Sequence, residues 1–133
     1  MTEVKLSIAA KLLVPGLIAY IVLDILLTPA GQLETRPVAD VTLFGFVTLG
    51  LLFVGLVLAV VSLILIYRGS RRAAVVAIVA AALYFPAALV DQTGLFSSLR
   101  PPTAIARIEL AQAVVALVVI GLGAWARPRA PER

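Results

Sequence analysis

Cysteine and histidine are both absent from this chain of 133 residues, and the single methionine is Met1. Without cysteine there are no disulfides, thiolate metal sites, cysteine nucleophiles or iron–sulfur clusters. Without histidine or an internal methionine, the usual ligands of haem and copper are missing, and so is the usual proton shuttle. The common nucleotide-binding, hydrolase and zinc-protease motifs are absent too. We therefore expect no metal, no cofactor and no enzymatic activity.

Charged residues are also scarce, at 14% of the chain against about 25% in a typical soluble domain. Hydrophobic residues make up 62%, which is more than a soluble fold of this size could bury. The net charge of +4 is compatible with nucleic-acid binding. The basic residues, however, stand at the ends of apolar segments, as they do in membrane proteins. We therefore expect a lipid bilayer around the protein and no nucleic-acid partner.

Four apolar segments are long enough to cross a bilayer, for which about 20 residues suffice. They cover approximately residues 12–28, 41–67, 73–90 and 103–126. Lipid cannot satisfy exposed backbone groups, so each segment must be a helix. The sequence predicts an all-α integral membrane protein with a single domain, a four-transmembrane-helix bundle. Pro86 predicts a kink in the third helix because it cannot donate a hydrogen bond to Ala82.

Lysine and arginine are distributed unequally between the two ends of these segments, and such residues accumulate on the cytoplasmic side. One set of ends has eight of them: Lys5, Lys11, Arg68, Arg71, Arg72, Arg127, Arg129 and Arg133. The other set has three: Arg36, Arg100 and Arg107. We therefore expect both termini in the cytoplasm (N-in/C-in), in a bacterial or archaeal plasma membrane.

The first segment has an alternative interpretation as a cleaved signal peptide. It has a basic start and an apolar run, but Asp24 interrupts that run, which is also long for a signal peptide. If it were removed, three helices would remain and the N-terminus would lie outside.

A group of polar residues falls in the outer half of the predicted bundle. Asp24, Arg107 and Glu109 are ionisable residues within spans, and such residues are functional candidates. Tyr20 precedes Asp24 by four residues and Gln112 follows Glu109 by three, so each pair shares a helical face. With two more residues of similar depth, the candidate polar membrane site comprises Tyr20, Asp24, Thr48, Tyr84, Arg107, Glu109 and Gln112.

The same residues also allow a structural interpretation. Asp24 and Arg107 could form an ion pair between the first and fourth helices, close enough to the membrane surface to reach water. Arg107 and Glu109 are two positions apart, so at most one of them can face a given neighbour. Small residues along the second, third and fourth helices predict close packing within the chain, or association with another copy or partner. The clearest small-residue stripe is on the second helix, at three- and four-residue steps with Leu52 between them: Gly45, Thr48, Gly55, Ala59 and Ser62.

Three functions remain open from the sequence, and the least favoured is a membrane enzyme that uses Asp24 and Glu109 for general acid–base catalysis. The one that requires least is a non-catalytic accessory or scaffold subunit of a membrane complex. The alternative is a small proton- or cation-coupled transporter that acts as a homodimer, with Asp24 or Glu109 as the ion-binding carboxylate at an outer-leaflet polar site.

Overall fold

The computed structural model describes residues 8–27, 41–93 and 103–126, except for the side chain of Gln92. Within these ranges the chain forms helices and no strand. The helices are α1 (Ile8–Leu26), α2 (Leu43–Tyr67), α3 (Ala73–Ala82), α4 (Tyr84–Gln92) and α5 (Thr103–Ala126). Because α3 and α4 together make one span, the described residues contain four helices long and apolar enough to cross a membrane. The prediction of an all-α fold is confirmed for the residues that the structure describes.

Both ends of α2 carry hydrogen bonds that explain its boundaries. The Thr42 hydroxyl accepts a bond from the Gly45 amide at 3.0 Å, which caps the start of the helix. At the other end Gly69 has a positive φ of 69°, and the Ser70 amide donates to the Leu65 carbonyl at 2.9 Å. This is a Schellman-type end, in which glycine adopts the left-handed conformation without steric strain. The chain therefore reverses sharply and α3 packs back against α2.

The third span is divided at Leu83, between α3 and α4. Pro86 lies in the first turn of α4 and has no amide hydrogen to offer Ala82, which agrees with the expected irregularity. The predicted end of this span, at residue 90, is corrected by the structure. Helix α4 continues to Gln92 and includes Asp91, although the uncharged run that predicts this span ends at Val90. A helix in a bundle can continue through a charged residue when that side chain faces the inside.

The other boundaries differ little from those expected. Helix α1 begins at Ile8, four residues earlier than predicted, because Lys11 is exposed and does not interrupt the helix. Its predicted last residue, Thr28, lies outside the described residues. Helix α5 covers Thr103–Ala126, the same range as the sequence indicated.

The spans pack as a bundle in which α2 contacts α1 and α3, and α5 contacts α3 and α1. Small residues make these close approaches possible. The inward face of α2 is the predicted small-residue stripe with its flanking leucine and isoleucine: Gly45, Thr48, Leu52, Gly55, Ala59, Ser62 and Ile66. The outward surface is apolar, as at Leu43, Phe53 and Leu117, which are 79%, 64% and 59% exposed.

Candidate functional site

Acidic and basic residues differ in burial in the described part of the bundle. All three acidic residues in the described ranges are buried, with Asp24 1%, Asp91 5% and Glu109 5% exposed. Every basic residue in the same ranges is exposed: Lys11, Arg68, Arg71, Arg72 and Arg107. A buried carboxylate is unfavourable unless it is paired, hydrogen-bonded or protonated. Three of them from three helices therefore form the most unusual feature of this molecule.

The three carboxylates lie toward the same end of the bundle. Asp24 is in the last turn of α1, Asp91 in the last turn of α4, and Glu109 in the second turn of α5. Tyr84 lines one cavity with Asp91 and Glu109, and Tyr20 is buried one turn before Asp24 on α1. We call these five residues the acidic layer.

The two tyrosines of the acidic layer also connect the helices. The Tyr20 hydroxyl donates a hydrogen bond to the Ala80 carbonyl at 3.1 Å, joining α1 to α3. The Tyr84 hydroxyl donates to the Glu109 carbonyl, joining α4 to α5. Bonds of this kind stabilise by about 0.6 kcal/mol each on average when they join helices in a membrane. The Tyr84 bond holds α4, which carries Asp91, against α5, which carries Glu109.

Gln112 lies beside the acidic layer and is fully buried, with 0% of its surface exposed. Its Nε2 donates to the Tyr20 carbonyl at 3.3 Å. Its Oε1 is buried and has no hydrogen-bond partner among the described residues. A buried acceptor without a donor is unfavourable by about 1–3 kcal/mol. Gln112 is therefore a buried polar group that the Tyr20 carbonyl holds through its Nε2.

The structure buries six of the seven sequence-predicted site residues in this half of the bundle: Tyr20, Asp24, Thr48, Tyr84, Glu109 and Gln112. Thr48 forms no side-chain hydrogen bond to the acidic layer among those described. Its hydroxyl donates to the Phe44 carbonyl of its own helix at 2.8 Å. A bond of this kind satisfies the hydroxyl locally.

Arg107 is the one predicted residue that the structure leaves out of the group. It is exposed on α5, whereas Glu109 on the same helix is buried. Two residues along a helix differ by about 200° around its axis, so only one of the pair can face the bundle. The suggested ion pair between Asp24 and Arg107, both of which the structure describes, is not formed.

Asp91 is the residue that sequence reasoning missed. It was assigned to a loop because it ends the uncharged segment. Its spacing gave a usable signal, since Tyr84, Ala87 and Asp91 are separated by three and four residues and therefore share one helical face. All three are buried.

A small cavity of about 10 Å³ opens beside two of the carboxylates. Its lining residues are Leu27, Leu52, Tyr84, Ala87, Ala88, Asp91 and Glu109. This volume is close to the minimum of about 10–15 Å³ that one water molecule requires. The described residues contain no group of three acidic side chains close enough to hold a metal ion. The cavity suits a guest no larger than a proton-carrying water.

Comparison with known proteins gives no match. No family model matches the sequence, and no curated protein or solved structure is significantly similar to it. The function must therefore be inferred from the acidic layer and its surroundings.

Proposed function

We propose that the four spans cross a bacterial or archaeal plasma membrane with both termini in the cytoplasm. The apolar outward surface supports contact with lipid. Lys11 and the arginines of the α2–α3 turn, Arg68, Arg71 and Arg72, stand at the end opposite the acidic layer. Because basic residues favour the cytoplasmic side, this arrangement supports an acidic layer in the outer half of the membrane.

The orientation has a direct test, because the chain has no cysteine of its own. A Ser70→Cys variant would carry its only thiol in the α2–α3 turn. We expect a membrane-impermeant maleimide to label it only after the cells are opened. Labelling of intact cells would contradict the orientation.

We further propose that the protein is a small proton-linked carrier whose acidic layer binds and releases protons from the outer side. The observation that carries this proposal is the burial of every described carboxylate at one end of the bundle while every described basic residue is exposed. Ionisable groups held inside a membrane protein are unfavourable for folding and typically serve ion or proton pathways.

A proton suits this layer better than a metal ion does. The cavity beside Asp91 and Glu109 is too small for a hydrated cation, and the described acidic residues form no metal-binding group. The acidic layer brings ionisable groups from three helices to one end of the bundle: Asp24 and Tyr20 from α1, Asp91 and Tyr84 from α4, and Glu109 from α5. Asp91 and Glu109 line one cavity, and carboxylates that interact strongly take up and release protons as a unit rather than as independent groups.

Infrared difference spectroscopy tests the proposal on protein reconstituted in lipid. We expect acidification to produce a band from protonated carboxyl groups. The Asp24→Asn, Asp91→Asn and Glu109→Gln variants should each lose part of that band, because a deleted carboxyl cannot take up a proton. Arg107→Gln is the control, and its spectrum should equal that of the wild type. Identical spectra for the wild type and all three acid variants would overturn the proposal.

A scaffold or accessory subunit is the second candidate, and the interhelical hydrogen bonds favour it. Besides the tyrosine bonds, the Ser62 hydroxyl of α2 donates to the Ala73 carbonyl of α3 at 2.8 Å. In this case the polar groups would serve only to hold the bundle together. The three acid variants would then lose stability or assembly, while acidification of the wild type would show no proton uptake by the layer.

A further inference from the structure

A second, larger cavity lies between α4 and α5 on the surface of the bundle. It is a crevice of about 320 Å³, near the lower limit of ligand pockets, which are typically about 300–1,000 Å³. Its lining residues are Tyr84, Ala88, Ala106, Glu109, Leu110 and Ala113. Leu110 is 67% exposed, so the crevice opens onto the outward apolar surface rather than into the centre of the bundle.

The crevice exists because α5 packs closely against α3 but only lightly against α4. Close packing against α3 is possible at Gly123, which lies against Ala74 and Ile78. Beyond the break at Leu83, α4 does not pack against α5 as closely as α3 does. The side chains that line the space between α4 and α5 include the methyl groups of Ala88, Ala106 and Ala113. Small side chains on both helices thus leave a space that no residue of the described chain fills.

The walls of this crevice differ in chemistry from its inner end. Alanine and leucine make most of the wall, which suits a hydrocarbon chain. Tyr84 and Glu109 are its polar members, and both belong to the acidic layer. A guest that matches both parts has an apolar chain and a positively charged group, because a carboxylate attracts a positive charge strongly in surroundings of low dielectric constant.

We propose that this crevice binds a single-chain amine that arrives from the membrane, with its ammonium group at Glu109 and its chain against the three alanines. This inference rests on the proposed function and names the substrate class for the same site. When the protonated amine binds, the Glu109 carboxyl group releases its proton to the outer solution and the resulting carboxylate pairs with the ammonium. One positive charge enters and one leaves, and no covalent bond other than O–H is broken.

Photoaffinity labelling tests the inference on the full chain in phosphatidylcholine nanodiscs. The probe is dodecylamine carrying an aliphatic diazirine, and mass spectrometry locates the label. We expect labelling of the crevice residues that unlabelled dodecylamine suppresses. Ala113→Leu fills the crevice and should reduce this saturable labelling at least fivefold. Ala111→Leu makes the same change on an exposed position of α5 and should leave it unchanged.

The role of charge is tested by a second pair of measurements. Glu109→Gln should reduce amine labelling at least fivefold, whereas labelling by the diazirine form of dodecanol should change less than twofold. Equal losses for amine and alcohol would mean that the crevice holds only lipid chains, and the inference would fail. Saturable labelling that vanishes on dilution to monomers would assign the crevice to a second copy of the chain. Absent amine labelling with normal proton uptake would overturn this inference and leave the proposed function standing.

Discussion

Replacing Tyr20 with alanine is expected to destabilise the bundle by about 3–5 kcal/mol, the range for removing a large buried aromatic side chain. Tyr20 is 1% exposed and lies among α1, α2, α3 and α5. Its hydroxyl is bonded to the Ala80 carbonyl, and a Cβ on Gly55 would stand only 3.5 Å from it. The variant would lose these contacts and leave a void that the neighbouring helices cannot fill completely.

Denaturation with sodium dodecyl sulfate in mixed micelles measures this free energy. Tyr67→Ala is the matched control, because Tyr67 is 72% exposed, and we expect a change below about 0.5 kcal/mol there. Tyr20→Phe separates the two contributions, since it removes only the hydroxyl and should have an effect of about 0.6 kcal/mol. A Tyr20→Ala effect as small as that of Tyr67→Ala would mean that α1 does not pack as described.

Replacing Gly123 with alanine is expected to destabilise the protein by about 1–3 kcal/mol, as overpacking of a dense interface does. A Cβ on Gly123 would lie 2.7 Å from Ile78 Cγ1 and 3.2 Å from the Ala74 carbonyl oxygen. The carbonyl belongs to the α3 backbone, so α3 and α5 would have to separate. That separation outweighs the better helix propensity of alanine, which favours the variant by about 1 kcal/mol.

Gly121 supplies the control on the same helix, because a Cβ there would meet no atom within 4 Å. We expect Gly121→Ala to be neutral or slightly stabilising in the same denaturation assay. In the Gly123→Ala background, Ile78→Ala should restore part of the loss, since it removes the atom in closest contact. Equal stability of the two glycine variants would contradict the close approach of α3 and α5.

The glycine contact also bears on the proposed crevice. The tight contact of α5 with α3 lies toward one end of the bundle, and the space between α5 and α4 lies toward the other. The expected loss of stability at Gly123 is therefore separate from the expected loss of amine labelling at Ala113. A variant that lowered both the stability and the amine labelling would indicate a rearranged bundle rather than a filled crevice.

The sequence determined the helices and most of their inward faces. A long apolar run in a membrane has no alternative to helix, so the number of spans followed from composition and length. Helical periodicity then grouped the small residues of α2 on one face, and all of that predicted stripe is buried. Periodicity also predicted a shared helical face for Tyr20 with Asp24 and for Glu109 with Gln112, because spacing along a helix fixes the relative direction of side chains. All four residues are buried.

Only the tertiary structure decided how each helix is rotated and how closely it meets its neighbours. Periodicity showed that Arg107 and Glu109 oppose each other, but the packing of α5 against α1 and α3 selected Glu109 for the interior. The inward position of Asp91 and the space between α4 and α5 likewise depend on the break at Leu83. Rotation and separation are set by contacts between distant parts of the chain, and such contacts leave no periodic trace in any single segment.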